Sequence, residues 1–384
     1  MKILIRHLLK TMKINPNLKT PYYLVDETRL LSNLKVIEEI KKRSGCKILL
    51  AQKAFSMFAL YPMLSEYLDG TTASGLYEAR LGFEHFGKEV HVYAPAYKDE
   101  DFKEILEYAD HIVFNSVNQL KKFKDQALEK GKTLGIRINP EISTQEHSMY
   151  DPCAPTSRMG IRLVDFDETI LPFITGIHFH TLCQQNSDAL EITLKAVEEK
   201  FGKYLHQLKW INFGGGHHLA RADYDIDLLV KLIKHFKDTY DVEVYLEPGE
   251  GIVINTGFFV AQVLDIVKND MEIAILDTSA TCHMPDVIEM PFTPPVINTI
   301  EKSNYRYRLA GYTCLTGDNI GEYYFKKPLN IGDLVIFEDM ALYTMVKNNT
   351  FNGIPLPAIY ARNLSGDDVL IKQFDYLDFK HKLS

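Results

Sequence analysis

The chain has 384 residues, 46% of them hydrophobic and 24% charged, with a formal net charge of -8. Such a chain buries a large core and divides into about two domains, and its negative balance argues against a nucleic-acid partner. No apolar run approaches the roughly 20 residues of a membrane helix, so a membrane protein is not expected.

Cys46, Cys153, Cys183, Cys282 and Cys314 are scattered without CxxC spacing, which fits a reduced, cytoplasmic protein rather than a disulfide framework. Met1 to Lys10 has a faint look of a secretion signal. It lacks the long apolar run and the cleavage site, and Met12 serves equally well as the start.

In chain order, Tyr22 to Asp26 reads as a short strand and Glu27 to Lys42 as a helix with Leu30, Leu31, Leu34, Ile37 and Ile40 on one face. An alternation then begins. Strand-like runs fall at 48–53, 70–74, 90–95, 111–115, 133–139, 176–180, 210–213 and 242–247, and amphipathic stretches at 55–68, 76–86, 101–109, 117–129, 188–206 and 226–240. The first four strand ends are about twenty residues apart, one strand and one helix with short loops. Eight such units predict a closed (β/α)8 barrel of the TIM type, where a doubly wound sheet usually stops at about five or six strands. The gap from Asn139 to Gly176, with four prolines, predicts a long loop over the catalytic face and a short helix after it.

After Gly251 the pattern changes to short β-like runs at 260–268, 272–277, 305–310, 334–338 and 342–347, which predict an antiparallel all-β domain. Tyr22 to Asp26 is expected to pair into it. The predicted domains are a barrel over 27–255 and a discontinuous β domain over 12–26 and 256–384.

In such barrels the chemistry sits at the carboxyl ends of the strands. Those ends collect Lys53, Ser74, Asn115, Arg137, Asn139, His180, the glycines Gly214, Gly215 and Gly216, and Glu247. Three glycines after a strand let backbone N–H groups approach a phosphate, although a tight turn also uses glycine. A lysine that can condense with an aldehyde, a phosphate cradle and a carboxylate that can hold a pyridine nitrogen protonated together suit pyridoxal 5′-phosphate. A flat imidazole such as His180 can stack on the ring. An alternative reading makes His178, His180, His217, His218 or Cys183 the ligands of a metal-dependent barrel hydrolase, but it leaves Lys53, the glycines and Glu247 unexplained, and no metal is expected.

These motifs resemble the barrel-type pyridoxal-phosphate decarboxylases of diaminopimelate, ornithine and arginine, with alanine racemase as a more distant relative. The resemblance covers about residues 20 to 375, in family order. Ala51-Gln-Lys53-Ala resembles the cofactor-lysine motif, His178-Phe-His180 the stacking-histidine segment, Gly214-Gly-Gly216 the phosphate loop and Glu247-Pro-Gly249 the pyridine-binding motif. Thr313-Cys314-Leu-Thr-Gly-Asp318 is similar to the segment that completes the partner subunit's site, and Met340 to Thr344, before Phe351-Asn-Gly, to the segment whose tyrosine binds phosphate.

The resemblance implies Lys53, Glu247 and Cys314 as catalytic. It implies His180, Cys183, Arg137, Gly214, Gly215, Gly216, Gly249 and Tyr343 as cofactor contacts, together with a homodimer that shares its sites. One departure is informative. Relatives usually carry arginine after Glu-Pro-Gly, and here the residue is Glu250. A carboxylate within about 4 Å of an ammonium is worth up to about 4 kcal/mol at an effective dielectric near 20, before desolvation. Glu250, Asp277, Asp286 and Asp318, with His283, are therefore expected to meet a small polycationic amino acid, as in the branch of the family that acts on carboxylated polyamines. The alternatives are diaminopimelate or another basic amino acid as substrate, an amino acid racemase, or a non-catalytic relative, which should lack the lysine or the cysteine.

Overall fold

The computed structural model describes residues 14–145 and 151–384, so both candidate start positions lie outside the described residues. The chain forms two compact units: Ser32–Ile252, and Val253–Ser384 together with the segment before Ser32. Residues 27–31 and 253–255, assigned to the barrel from sequence, belong to the second unit by their contacts.

In the first unit eight parallel strands close a barrel: β2 (Lys47–Ala51), β3 (Gly70–Ala73), β4 (Glu89–Tyr93), β5 (His111–Phe114), β6 (Thr133–Arg137), β7 (Gly176–His178), β8 (Trp210–Asn212) and β9 (Glu243–Leu246). The (β/α)8 expectation holds. The regular strands end one or two residues before their apolar runs do, which leaves most of the reactive side chains on the loops beyond. Ile48, Leu49 and Leu50 are fully buried, as a strand covered on both faces requires.

Helices Val117–Glu129 and Ile226–Tyr240 match their predicted bounds. Ser116 and Asp225 cap them, accepting from the N–H groups of Gln119 and Leu228. The stretch 55–68 instead divides into a 3-10 turn, Phe58–Leu60, and a helix, Tyr61–Tyr67, because Pro62 is best placed where a helix begins. Among its described residues, the long 139–176 segment carries two 3-10 turns, Leu163–Asp165 and Glu168–Phe173.

The barrel interior is filled by Leu49, Val113, Trp210 and Tyr245, with Tyr93 packed against them. Two glycines make room for the indole. A Cβ on Gly176 would stand 2.0 Å from Trp210 Cδ2, and one on Gly135 would stand 2.4 Å from Cη2.

The second unit is a nine-stranded sheet among the described residues, in the order β12-β14-β13-β11-β10-β1-β16-β17, with β15 paired to β10. Its strands are β1 (Tyr22–Asp26), β10 (Gly257–Lys268), β11 (Glu272–Leu276), β12 (Thr299–Ile300), β13 (Tyr305–Ala310), β14 (Asn319–Phe325), β15 (Leu334–Glu338), β16 (Ala358–Arg362) and β17 (Asp368–Lys372). β1 pairs here as expected, antiparallel to β10 and parallel to β16. The β11–β13 pair is also parallel, so the sheet is mostly rather than wholly antiparallel.

The predicted strand at 342–347 is not one. Positive φ at Asp339 (58°) and Tyr343 (51°) bends the chain, and Thr344 Oγ1 donates to Met340 O at 2.6 Å, which closes a local turn. β12, β14, β16 and β17 were missed. Gly321 interrupts the alternation of β14, and four of the five residues of β17 are exposed and show no period-2 pattern. No described helix is long and apolar enough to cross a membrane.

Candidate active site

Within the barrel unit, the carboxyl ends of the strands bring together Lys53, Arg137, His178, His180, Asn212, the three glycines and Glu247. Asn212 ends β8 and organises the group. Its Nδ2 donates to Glu247 Oε1 at 2.7 Å, while its Oδ1 accepts from the Gly214 N–H at 2.8 Å. The Glu247 N–H donates to Gly214 O at 2.8 Å, so the glycine turn and the carboxylate are one construction.

His178 Nε2 lies 3.3 Å from Glu247 Oε2. Burial by itself would raise the Glu247 carboxyl, but His178 and Asn212 outweigh it and keep the group ionised, well below the usual carboxylate range. Burial pushes the His178 imidazolium below the usual histidine value, against the pull of Glu247.

Lys53 stands two residues beyond β2. Its side chain opens to water at the barrel mouth, yet protein crowds around the amine. The resulting loss of hydration, and then the positive charge of Arg137, push its ammonium below the usual lysine value, against the pull of Glu247, Glu78 and Cys183. Arg137 is buried at the end of β6, lies over the Tyr93 ring at 4.7 Å and donates through Nη2 to His180 O at 3.1 Å. Glu78, whose Oε2 accepts from the Ser74 N–H at 2.6 Å, is raised by burial.

The glycines are needed by space as well as by conformation. Gly214 and Gly216 have φ of 72° and 83°, and added Cβ atoms would stand 2.3 Å from Phe179 O and 2.0 Å from Leu182 O. The Gly215 N–H donates to His180 Nδ1 at 2.9 Å. Gly214 and Gly215 thus use their N–H groups within the barrel unit, on Asn212 and His180. His180 is held neutral, first by burial and then by Lys53 and Arg137. Gly249 packs against Ala51 and Ala54, where a Cβ would come within 2.6 Å of Ala54 Cβ.

Glu250 is engaged: its Oε1 accepts from Gln184 Nε2 at 2.6 Å and lies 3.5 Å from His218 Nε2. Cys183 follows His180 by three residues and is half-buried.

In the β unit, Cys314 is exposed on a turn held by its N–H, which donates to Asn352 Oδ1 at 2.7 Å. Asp277 accepts from Thr20 Oγ1 at 2.6 Å and from the Gln262 N–H at 2.7 Å. Asp286 and Glu289 pair with the Lys347 ammonium. Two expected substrate contacts are turned inward instead. Asp318 accepts from the Ala280 N–H at 2.8 Å and from Thr313 Oγ1 at 2.6 Å, and His283 is fully buried between Thr278 Oγ1 at 2.9 Å and Pro355 O at 3.1 Å. Tyr343 holds a left-handed backbone, a strain that persists only where surroundings impose it.

The sequence analysis did not single out Asn212, Tyr93, Glu78 or Gln184. Asn212 had a signal, since it is the strand-end residue just before Phe213-Gly214. Among the described residues, no three of His178, His180, Cys183, His217 and His218 converge as a ligand set.

The arrangement fits pyridoxal phosphate. It offers one amine of lowered basicity, one buried ionised carboxylate, and a turn that only glycine can make. Among the described residues, His178 Nδ1, His217 Nε2 and His218 Nδ1 are buried with no hydrogen-bond partner.

Residues 22–341 match the family model described as "Pyridoxal-dependent decarboxylase, C-terminal sheet domain". The chain belongs to the pyridoxal-dependent decarboxylases, and its cofactor is pyridoxal 5′-phosphate. It is 44% identical to a carboxynorspermidine/carboxyspermidine decarboxylase of Campylobacter jejuni, over 94% of this chain and 98% of that one. It is 40% identical to a carboxyaminopropylagmatine decarboxylase of Synechocystis, over 96% of each chain. The crystal structure of carboxynorspermidine decarboxylase complexed with norspermidine from Campylobacter jejuni superimposes with a TM-score of 0.88 at 43% identity, covering 95% of this chain and all of that one.

Proposed function

We propose that this chain decarboxylates carboxynorspermidine or carboxyspermidine to norspermidine or spermidine. The observation that carries the reading is its near full-length similarity to relatives named for that reaction, one of them holding norspermidine. When bound, the cofactor supplies an aldehyde for an amine and a ring that accepts the electron pair left as CO2 departs.

Lys53 offers that amine, and its lowered basicity increases the neutral fraction that can react. Glu247, kept ionised by Asn212 and His178, holds a proton on the pyridine nitrogen. His180 would stack on the cofactor ring, steered by the Gly215 N–H at its Nδ1 and by Arg137 at its backbone carbonyl. Gly216, Gly249, Cys183 and Tyr343 hold the phosphate. Cys314 returns a proton to Cα, reaching across a two-fold homodimer whose β domains complete the sites. Glu250, Asp277 and Asp286 meet the substrate's ammonium groups, and Asp318 and His283 support the β unit from inside. The enzyme works in the cytoplasm, a reading supported by the absence of any disulfide among its cysteines.

The test is turnover of carboxynorspermidine, carboxyspermidine and diaminopimelate by the purified holoenzyme. The polyamine precursors are expected to be decarboxylated far faster than diaminopimelate, and the reverse order would sink the proposal. Intact catalytic efficiency in both Asp277→Ala and Asp286→Ala would remove those two contacts. A second reading follows from the Synechocystis relative, whose named substrate ends in a guanidinium rather than an ammonium. Carboxyaminopropylagmatine in the same assay decides between them.

A further inference from the structure

At the opposite end of the barrel from Lys53, the strand starts carry a second cluster. Glu89 opens β4, His91 follows two residues later on the same strand face, and His111, which opens β5, is the register partner of His91. Their ligand-type atoms all lie within 4.8 Å of one another, the one such group of three among the described residues. The Glu89 carboxylate divides its work. Oε1 accepts from the Lys47 ammonium, while Oε2 faces His91 Nε2 at 3.2 Å, His111 Nε2 at 4.0 Å and the Tyr245 hydroxyl at 3.2 Å. His91 is 1% exposed, and the Nδ1 atoms of both histidines are buried without a partner.

We propose that Glu89, His91 and His111 bind a borderline divalent cation of the zinc class at the barrel floor, joining β4 to β5 away from the decarboxylation site. Two imidazoles and one carboxylate suit zinc, cobalt or copper rather than calcium or magnesium, and three protein ligands leave a position for water. Lys47 and Tyr245 bond the carboxylate from behind, as outer partners of metal sites do.

Two features limit the affinity. The His91 and His111 rings are stacked at 4.0 Å and 15°, whereas a metal lies in the plane of an imidazole, so the less buried His111 turns out of the stack on binding. The Lys47 charge also opposes the incoming cation.

The chain's one tryptophan, Trp210, meets the His111 ring at 5.5 Å and the His91 ring at 6.4 Å, which makes it an internal reporter. Chelator-treated holoenzyme titrated with Zn2+, Co2+, Cu2+ and Mg2+ is expected to bind a single equivalent of each of the first three, with Co2+ and Cu2+ quenching Trp210 fluorescence and Mg2+ doing neither. His111→Asn should weaken binding by roughly tenfold or more while the decarboxylase rate is unchanged, and Lys47→Met should tighten it. His111 is the least buried ligand ring, so its variant keeps the test open if Glu89→Gln fails to fold. No saturable binding at micromolar metal, equal affinity in His111→Asn, or binding that leaves Trp210 unquenched by Cu2+ would each overturn the assignment.

Discussion

The two ends of the barrel carry the same three residue types and use them oppositely. At the floor, Lys47 touches Glu89. Burial would lower the Lys47 ammonium, but its bonds to Glu89 and Tyr245 raise it above the usual lysine value, so the charge is locked in. At the mouth, Lys53 has no such contact with Glu247, Arg137 stands close enough to repel it, and its ammonium is lowered. Glu247 is taken instead by Asn212 and His178. A lysine held against a carboxylate is a structural cation. A lysine without that contact and beside an arginine is less basic, and the carboxylate is bonded by other donors.

The largest expected effect breaks the mouth. Lys53→Ala should abolish decarboxylation and the visible absorbance of the bound cofactor together, read by spectra before and after borohydride. Lys47→Met, the matched change at the floor, should leave both in place. Next, Glu247→Gln should lower kcat by roughly 10²- to 10⁴-fold with cofactor still bound, and Asn212→Ala should give a smaller loss in the same direction, because it withdraws one hydrogen bond rather than the charge.

A floor variant should change stability without changing chemistry. Gly176→Ala drives a methyl into Trp210 and should destabilise the fold by about 1–3 kcal/mol in urea denaturation, with kcat of the folded fraction unaltered. The smallest effect sharpens the contrast through pH. Burial lowers His217 to about 4, against an unfolded value near 6.5. Between those values the unfolded chain binds a proton that the folded chain refuses, so this contribution is whole above about pH 6.5 and is lost as pH falls toward 4. The melting temperature of the apoprotein should fall through that window, and His217→Gln should flatten the slope.

The mouth was more legible than the floor. Lys53, Arg137, His180, the glycines and Glu247 announced themselves because each stands where an apolar run ends, and the run length marks that point. Glu89, His91 and His111 stand where strands begin, and a His two residues after a Glu reads like any alternating strand. Asp318 and His283 are a related case. A sequence shows that an acid or a histidine is present in a motif, but not whether its hydrogen bonds turn inward, as those from Thr313 and Ala280 and to Pro355 do here. The strand drawn through Tyr343 failed because apolar composition carries no record of a positive φ.

By itself, the order of residues determined the eight-fold alternation, the change to β structure after Gly251 and the family, since periodicity and local motifs are properties of neighbours along the chain. The tertiary structure alone decided which lysine ammonium is lowered and which is raised, which glycine N–H groups are taken up within the barrel unit, and which acids are internal. Those outcomes depend on groups far apart in sequence, such as Lys53 with Arg137 and Asn212 with Glu247, and on the water that their packing excludes.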